Sequence, residues 1–257
     1  MSQVKQIAKV VSQEQLLADV YSMWIDTEEI AGQAKPGQFI SIYTKDGAKL
    51  LPRPISICEV DRAAGKLRIV YRVVGAGTEE FAGYQAGDDI SIMGPLGNGF
   101  PEAEAGKRAF LIGGGIGIPP MLELAKQLKC SKQMILGYRD QLFLNQEFEP
   151  YGDVYLATED GSAGTKGNVL DVIREQGLEA DVIMACGPTP MLRAIKAYAM
   201  EHGIDCYLSL EEKMACGVGA CLACVCQSKD VDSHSHVHNK RICKDGPVMK
   251  KEEILWD

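Results

Sequence analysis

Cys216, Cys221, Cys224 and Cys243 stand in the order C-x4-C-x2-C…C near the end of a chain of 257 residues. Thiolates at that spacing suit a loop wrapped around a plant-type 2Fe-2S cluster, in which four sulfurs serve two irons. Gly217 and Gly219 fall inside the loop, where residues without a Cβ let backbone N–H groups approach inorganic sulfide and tune its potential. The same residues leave open a structural zinc site, which favours paired C-x2-C knuckles, or simply buried thiols. Cys226 follows Cys224 too closely to extend the pattern and reads as a packed thiol. His234, His236 and His238 alternate and on an extended segment would share one face, but no further ligand accompanies them. A solvated hairpin tip between the third and fourth cysteines is the expectation.

A second constellation can hold a nucleotide. Ala109 to Ile112 reads as a strand, Gly113-Gly114-Gly115-Ile116-Gly117 as a tight turn, and Pro119-Pro120 as the first turn of a helix. Glycines let a pyrophosphate sit against the backbone, and the exposed N–H groups of the helix start attract anions. A plain α/β turn is the bland alternative. The next strand ends at Arg139 and Asp140, both candidates for adenosine contacts; Arg139 suits a 2′-phosphate, so NADH and NADPH both remain open. Later DVIMAC runs into Gly187-Pro188-Thr189-Pro190-Met191, a segment ending at the carboxyl edge of the sheet. Cys186 therefore stands at a candidate hydride-transfer position, with a buried structural thiol as the alternative.

These sites need elements to hold them. From Lys5 to about Gly94, QFISIYT, KLRIVYRVV and DDISIM alternate with turns, which predicts the antiparallel strands of a small barrel or sandwich with little helix. From about Arg108, short apolar strands alternate with helical stretches such as PPMLELAKQLK, which predicts a parallel α/β sheet. From Ser209 a cysteine-rich tail follows, too short to fold reliably without its metal. The chain divides accordingly at 1–102, 103–208 and 209–257. With 35 acidic against 27 basic residues and a net charge of -8, nucleic acid and anionic membrane are disfavoured as partners. No apolar run reaches a membrane span and MSQVKQIAKV lacks a signal-peptide core, so a cytoplasmic protein is expected, its nine cysteines serving metal or redox chemistry rather than disulfides.

Arg53-Pro54-Ile55-Ser56 in the first part, GGGIGIPP with CGPTPM in the second and the C-x4-C-x2-C…C tail together resemble the ferredoxin-NADP reductase superfamily. Over essentially its whole length the chain is most similar to the electron-transfer subunits of class 1B dihydroorotate dehydrogenases. The resemblance implies an FAD-binding β-barrel domain, an NAD-binding α/β domain and a small 2Fe-2S domain. It implies that Arg53, Pro54, Ile55 and Ser56 line the flavin, that Val70, Tyr71 and Arg72 lie on the strand packing it, and that Gly77 and Thr78 loop over its pyrophosphate. Gly113, Gly114, Gly115, Gly117, Gly187, Pro188 and Met191 would then hold NAD, and Cys216, Cys221, Cys224 and Cys243 the cluster. PGQF at 36–39 and GPLGNGF at 94–100 look like further signatures.

The implied activity joins one-electron and hydride chemistry through a flavin. By that resemblance, a separate FMN-containing catalytic subunit would oxidise dihydroorotate in pyrimidine biosynthesis, and electrons would cross through the cluster to FAD and then to NAD+. The resemblance also implies a heterotetramer of two chains of each kind. The final hydride step needs no protein acid or base, so no catalytic residue in that sense is expected. Two alternatives stand beside this: a flavin and iron-sulfur NAD(P)H reductase serving ferredoxin, a hydrogenase or an oxygenase, and a non-catalytic zinc-binding interaction module.

Overall fold

Alternation of apolar and polar residues over the first part of the chain produces a closed, six-stranded antiparallel barrel in the computed structural model, which describes residues 3–256. Its strands are β1 (Val4–Leu17), β2 (Val20–Asp26), β3 (Phe39–Tyr43), β4 (Arg53–Asp61), β5 (Lys66–Arg72) and β6 (Asp89–Leu96), neighbours in the order β1-β2-β5-β4-β3-β6. Successive side chains point to opposite faces, so Ile40 and Ile42, Leu67, Ile69 and Tyr71, and Ile90 and Ile92 fill the interior. Two short helices that the alternation did not announce, α1 (Glu28–Gln33) and α2 (Ala76–Ala82), send Ile30 and Phe81 into the same core.

From Arg108 strands and helices alternate: β7 (Arg108–Gly114), α3 (Pro119–Gln127), β8 (Ser131–Tyr138), β9 (Asp153–Thr158), β10 (Thr165–Lys166), α4 (Val169–Gln176), β11 (Val182–Cys186), α5 (Thr189–Glu201) and β12 (Asp205–Ser209). They form a parallel sheet ordered β10-β9-β8-β7-β11-β12. The chain builds outward from β7 to one edge, then crosses back to lay β11 on the other side of β7. That reversal separates the connections leaving two neighbouring strands and opens a crevice at their carboxyl ends.

The tail forms a hairpin of β13 (Val225–Gln227) and β14 (Asn239–Arg241), then a last strand, β15 (Val248–Lys250). β15 pairs antiparallel with β12 through Tyr207↔Lys250 and Ser209↔Val248, so the end of the cysteine-rich segment belongs to the nucleotide sheet. On its other side the tail is tied to the barrel. Asn98, in GPLGNGF, donates from Nδ2 to the carbonyls of Lys244 and Asp245 at 3.0 Å each, and from its backbone N–H to the Gly246 carbonyl. Backbone hydrogen bonds therefore anchor the short tail at both flanks, in addition to whatever its thiols hold.

Barrel and sheet meet along β4 and α3. β3 pairs with β4 only from Arg53 to Ser56, which leaves the far end of that β4 edge without a strand. Glu123 of α3, its side chain 2% exposed, supplies the missing acceptor and takes the Val60 N–H at 2.9 Å. Beside it Arg68 of β5 grips Glu147 with two hydrogen bonds of 2.5 and 3.1 Å. No helix among the described residues is long and apolar enough to cross a membrane.

Candidate functional site

The four spaced cysteines come together as two pairs. The Cys216 N–H donates to the Cys221 thiol at 3.4 Å, and the Cys243 N–H to the Cys224 thiol at 3.4 Å. Further backbone donors converge on the sulfurs: Val218 and Ala220 on Cys216 at 3.4 and 3.3 Å, and Gly219 on Cys243 at 3.1 Å. Gly217 and Gly219 make this possible by adopting φ of 72° and 83°, where a side chain is strained. Burial alone would raise the Cys216 thiol, but the N–H groups of Val218 and Cys221 outweigh it and bring the pKa down to about 7. The Cys243 thiol, as hydrogen-bond donor, lowers Cys224 to about 6 and is itself raised.

This donor set fits a binuclear cluster. A tetrahedral zinc ion needs its sulfurs gathered round one centre, yet among the described residues no three His, Cys, Asp or Glu side chains converge in that way. Two irons bridged by sulfide need two thiolates each, which is the arrangement of the two pairs. Cys226 stays outside them. Its thiol lies 3.8 Å from the Met249 sulfur, and burial pushes its pKa up to about 11. The three histidines sit in the turn between β13 and β14, where Asp232 accepts the N–H groups of His234 and Ser235 at 3.0 and 2.7 Å. The segment is a turn rather than an extended strand, so alternation does not give the rings a common face.

On the barrel, the start of β4 is left partly open to solvent. Its residues Arg53 to Ser56 are all partly exposed, and Pro54 and Ser56 share the outer face with Ser41 and Phe39 opposite them. The Arg53 guanidinium lies over Gly77 so closely that a Cβ there would stand 2.0 Å from Nε. The loop is thus shaped around a cation on the open face, a cradle that fits a flavin pyrophosphate. Thr78 supports that loop and is spent on it: its hydroxyl accepts the N–H groups of Val74 and Gly75 at 2.9 and 3.2 Å. Tyr71 differs from its neighbours. Val70 and Arg72 point out of the barrel, whereas the Tyr71 ring is stacked on Tyr21 inside it and its hydroxyl donates to Gln13 at 2.9 Å. Its side chain is a core side chain, and only its backbone lies along the outer groove.

The glycine turn and the CGPTPM segment meet at the switch point, because β7 and β11 are neighbours with Gly113 opposite Cys186. Met191 packs on both Gly114 and Gly187, and a Cβ at Gly117 would stand 2.4 Å from the Cys186 carbonyl oxygen. Around Gly115, by contrast, nothing lies within 4 Å of a Cβ, so this is the face left open to a ligand. Pro188 precedes α5 beside that face. The Cys186 thiol is 1% exposed, packed into the core behind the turn, and burial with the nearby Glu211 charge pushes it up to about 12. Arg139 and Asp140 are exposed at the end of β8, with Glu159 and Asp160 following β9 next to them. Beside α5 lies a cavity of about 350 Å³, lined by Thr189 and Arg193 with Glu211, Cys226 and Trp256 of the tail.

Comparison with known proteins bears on both halves of this geometry. The iron-sulfur cluster binding domain of dihydroorotate dehydrogenase B matches residues 211–255. A solved NADH-dependent reduced ferredoxin-NADP oxidoreductase superposes with a TM-score of 0.87 at 30% identity, covering 98% of this chain and 90% of that one. The ferredoxin reductase of carbazole 1,9a-dioxygenase shares the fold, with a TM-score of 0.68 at 20% identity over 79% of this chain and 67% of that one. The dihydroorotate dehydrogenase B (NAD+) electron transfer subunit of Bacillus velezensis is 44% identical over 95% of this chain and 96% of its own length. That of Geobacillus thermodenitrificans is 44% identical over 96% of each. The chain belongs to the family of dihydroorotate dehydrogenase B electron transfer subunits.

As a member of that family it is an electron-transfer oxidoreductase subunit, built on a reductase barrel and sheet with an iron-sulfur tail. In this electron transfer subunit one residue that sequence spacing did not single out holds the cysteine loop in shape. Arg241, 4% exposed, donates to the Gly219 carbonyl at 2.9 Å, to Asp232 at 2.8 Å and to Asp245 at 3.3 Å. It orients the peptide whose N–H groups face the sulfurs. Arg241→Met is expected to speed chelator-driven release of iron roughly ten- to a hundredfold, the usual scale for losing an outer support of a metal site. Iron release followed by absorbance is the measurement, and a release rate equal to that of the native protein would remove Arg241 from this role.

Proposed function

We propose that the chain carries FAD on the barrel (1–102), NAD on the α/β domain (103–208) and a 2Fe-2S cluster on the tail (209–257), and passes electrons from a dihydroorotate-oxidising subunit to NAD+. The flavin supplies the exchange between single electrons and a hydride. Arg53 holds the flavin pyrophosphate with Gly77 leaving room for it, while Pro54, Ile55 and Ser56 and the backbone of Val70, Tyr71 and Arg72 line the ring. Cys216 with Cys221 takes one iron, and Cys224 with Cys243 the other. Gly115 and the Gly187-Pro188 turn receive the nicotinamide nucleotide. No protein acid or base takes part in the hydride step.

The observation that carries this reading is the position of β4. Its start, Arg53 to Ser56, is partly exposed, with Pro54 and Ser56 on the outer face. One strand away, about 5 Å at ordinary sheet spacing, β3 lies against the cysteine loop, with Ser41 under Gly217. The other end of β4 is bonded by Glu123 to α3, the helix that opens at the glycine turn. One edge of β4 thus runs from beside the cysteine loop at its start to α3 at its far end, which supports electron passage between the proposed cluster and nucleotide sites.

The partner is an FMN-containing catalytic subunit, two of each forming a heterotetramer that works in pyrimidine biosynthesis in the cytoplasm. Anaerobic purification is expected to give one FAD and two irons per chain; stoichiometric zinc without flavin overturns the proposal. Co-expression with a dihydroorotate dehydrogenase catalytic subunit is expected to form NADH from dihydroorotate. The likeness to the NADH-dependent ferredoxin-NADP oxidoreductase favours a second reading, a ferredoxin-linked reductase, which predicts NADH oxidation without that coupling. Asp140, Glu159 and Asp160 at the carboxyl ends of β8 and β9 oppose a 2′-phosphate, so FAD reduction is expected to be faster with NADH than with NADPH. Stopped-flow reduction with each nucleotide measures this, and equal rates would show that Arg139 offsets the carboxylates.

A further inference from the structure

The outer face of β3 is made by Phe39, Ser41 and Tyr43, since Ile40 and Ile42 point into the barrel. The cysteine loop rests on this face. A Cβ on Gly217, next in sequence to Cys216, would lie 3.0 Å from the Ser41 hydroxyl oxygen, 3.4 Å from a Leu96 methyl and 3.6 Å from the Met93 methyl. Ser41 is fully buried, flanked in the sheet by Pro54 and Met93, and its Oγ has no hydrogen-bond partner among the described residues. Buried hydroxyls are nearly always bonded, so an unpartnered one aimed at a ligand loop marks where an acceptor belongs. The next outward residue, Tyr43, lies in the same field: its hydroxyl is raised first by burial and then by the charge on Cys216.

We propose that the Ser41 hydroxyl donates a hydrogen bond to a sulfur of the iron-sulfur cluster and thereby raises the cluster's reduction potential. The inference rests on the cofactor assignment above and adds a barrel residue to the control of a group otherwise held by the tail. Its physical basis is charge. Reduction places additional negative charge on the sulfurs, so a donor facing them favours the reduced state, and hydrogen bonds to sulfur are among the determinants of cluster potential. The backbone donors from Val218, Gly219 and Ala220 already serve the Cys216 and Cys243 sulfurs. Ser41 instead reaches the loop from the barrel, on the strand next to β4. Ser41 is therefore a positioning and tuning residue at the junction of the flavin and cluster sites.

The test is a redox titration of the chain loaded with FAD and cluster, the cluster followed by electron paramagnetic resonance and the flavin by absorbance. Ser41→Ala is expected to keep its iron and FAD while the reduced-to-oxidised ratio of the cluster at fixed potential falls about tenfold, which is 59 mV for a one-electron couple. The flavin midpoint should stay in place, and Ser41→Thr, which keeps the hydroxyl, should restore the cluster midpoint. An unmoved cluster midpoint in Ser41→Ala overturns the proposal. So does a shift confined to the flavin, which would make the flavin the acceptor, and so does loss of the cluster in both variants, which would make Ser41 a packing residue only. A native chain with no paramagnetic cluster on reduction would instead defeat the cofactor assignment itself.

Discussion

Cys224→Ser is expected to abolish transfer from the catalytic subunit to NAD+ while leaving reduction of FAD by NADH at its native rate. Cys224 is buried beside Cys243 and shares a thiol hydrogen bond with it, so the two are placed to serve one iron together. A serine hydroxyl there stays protonated and offers hard oxygen in place of soft sulfur, which disfavours iron-sulfur ligation. The barrel and the glycine crevice share no residue with the pair, so flavin reduction should not notice its loss. Iron content, the paramagnetic signal of the reduced cluster and the two partial activities together measure this. Cys226→Ser is the control: its thiol packs on Met249, away from the pairs, and its cluster content should equal the native value. A Cys224→Ser chain with a full, paramagnetic cluster would show that the pairs are not the ligand set.

The same variant reports how the tail is held. A short metal-stapled segment is expected to unravel when its metal is lost. Here β15 adds to the nucleotide sheet, and Asn98 binds the backbone just after Cys243, so these flanks stay tethered without the cluster. Disorder after cluster loss should be confined to the stretch between β12 and β15.

How far such features can be read in the sequence depends on whether they are local. The cysteine pairs were legible as candidate ligands because three of the four lie within one loop, where spacing narrows the chemistry. The barrel strands and the parallel sheet followed from periods of two and from strand–helix alternation. Tyr71 could have been placed by the same period: on a strand with Leu67 and Ile69 inside, position 71 must also face in. Arg241, Asn98, Glu123 and Ser41 were not legible. Each acts on a backbone or a loop far away in sequence, and a lone serine within FISIY carries no sign that a cysteine loop some 175 residues later settles upon it. β15 is similarly obscure, being a three-residue strand whose partner lies on the far side of the cysteine loop.

The glycine turn is where sequence and structure divide the work differently, and a pair of substitutions separates the parts. Read as sequence, Gly113, Gly114, Gly115 and Gly117 all serve one purpose, letting a pyrophosphate approach. In the fold, Gly117 is needed because the backbone of β11 passes against it: an added Cβ would meet the Cys186 carbonyl oxygen at 2.4 Å and the Gly187 nitrogen at 2.6 Å. Neither atom can retreat, since β11 is fixed between β7 and β12. Gly117→Ala must therefore force the two turns apart, at a cost of about 1–3 kcal/mol or more, the usual range for overpacking. Gly115 has open space around it and φ of 53°, so alanine there meets no atom of the protein and bears only the strain of the left-handed conformation, about 1–2 kcal/mol. Its methyl group projects where the nucleotide is expected. Gly115→Ala should weaken NADH binding with a small loss of thermal stability, because the damage lies in the ligand's space. Gly117→Ala should lower the melting temperature further and misplace the crevice as a whole, so that both KM for NADH and the rate of FAD reduction suffer, with FAD and iron content preserved. Thermal unfolding alongside stopped-flow reduction by NADH distinguishes the two. Native NADH kinetics in Gly115→Ala would move the nucleotide away from this turn, and native stability in Gly117→Ala would mean that β11 yields where its two neighbouring strands should hold it.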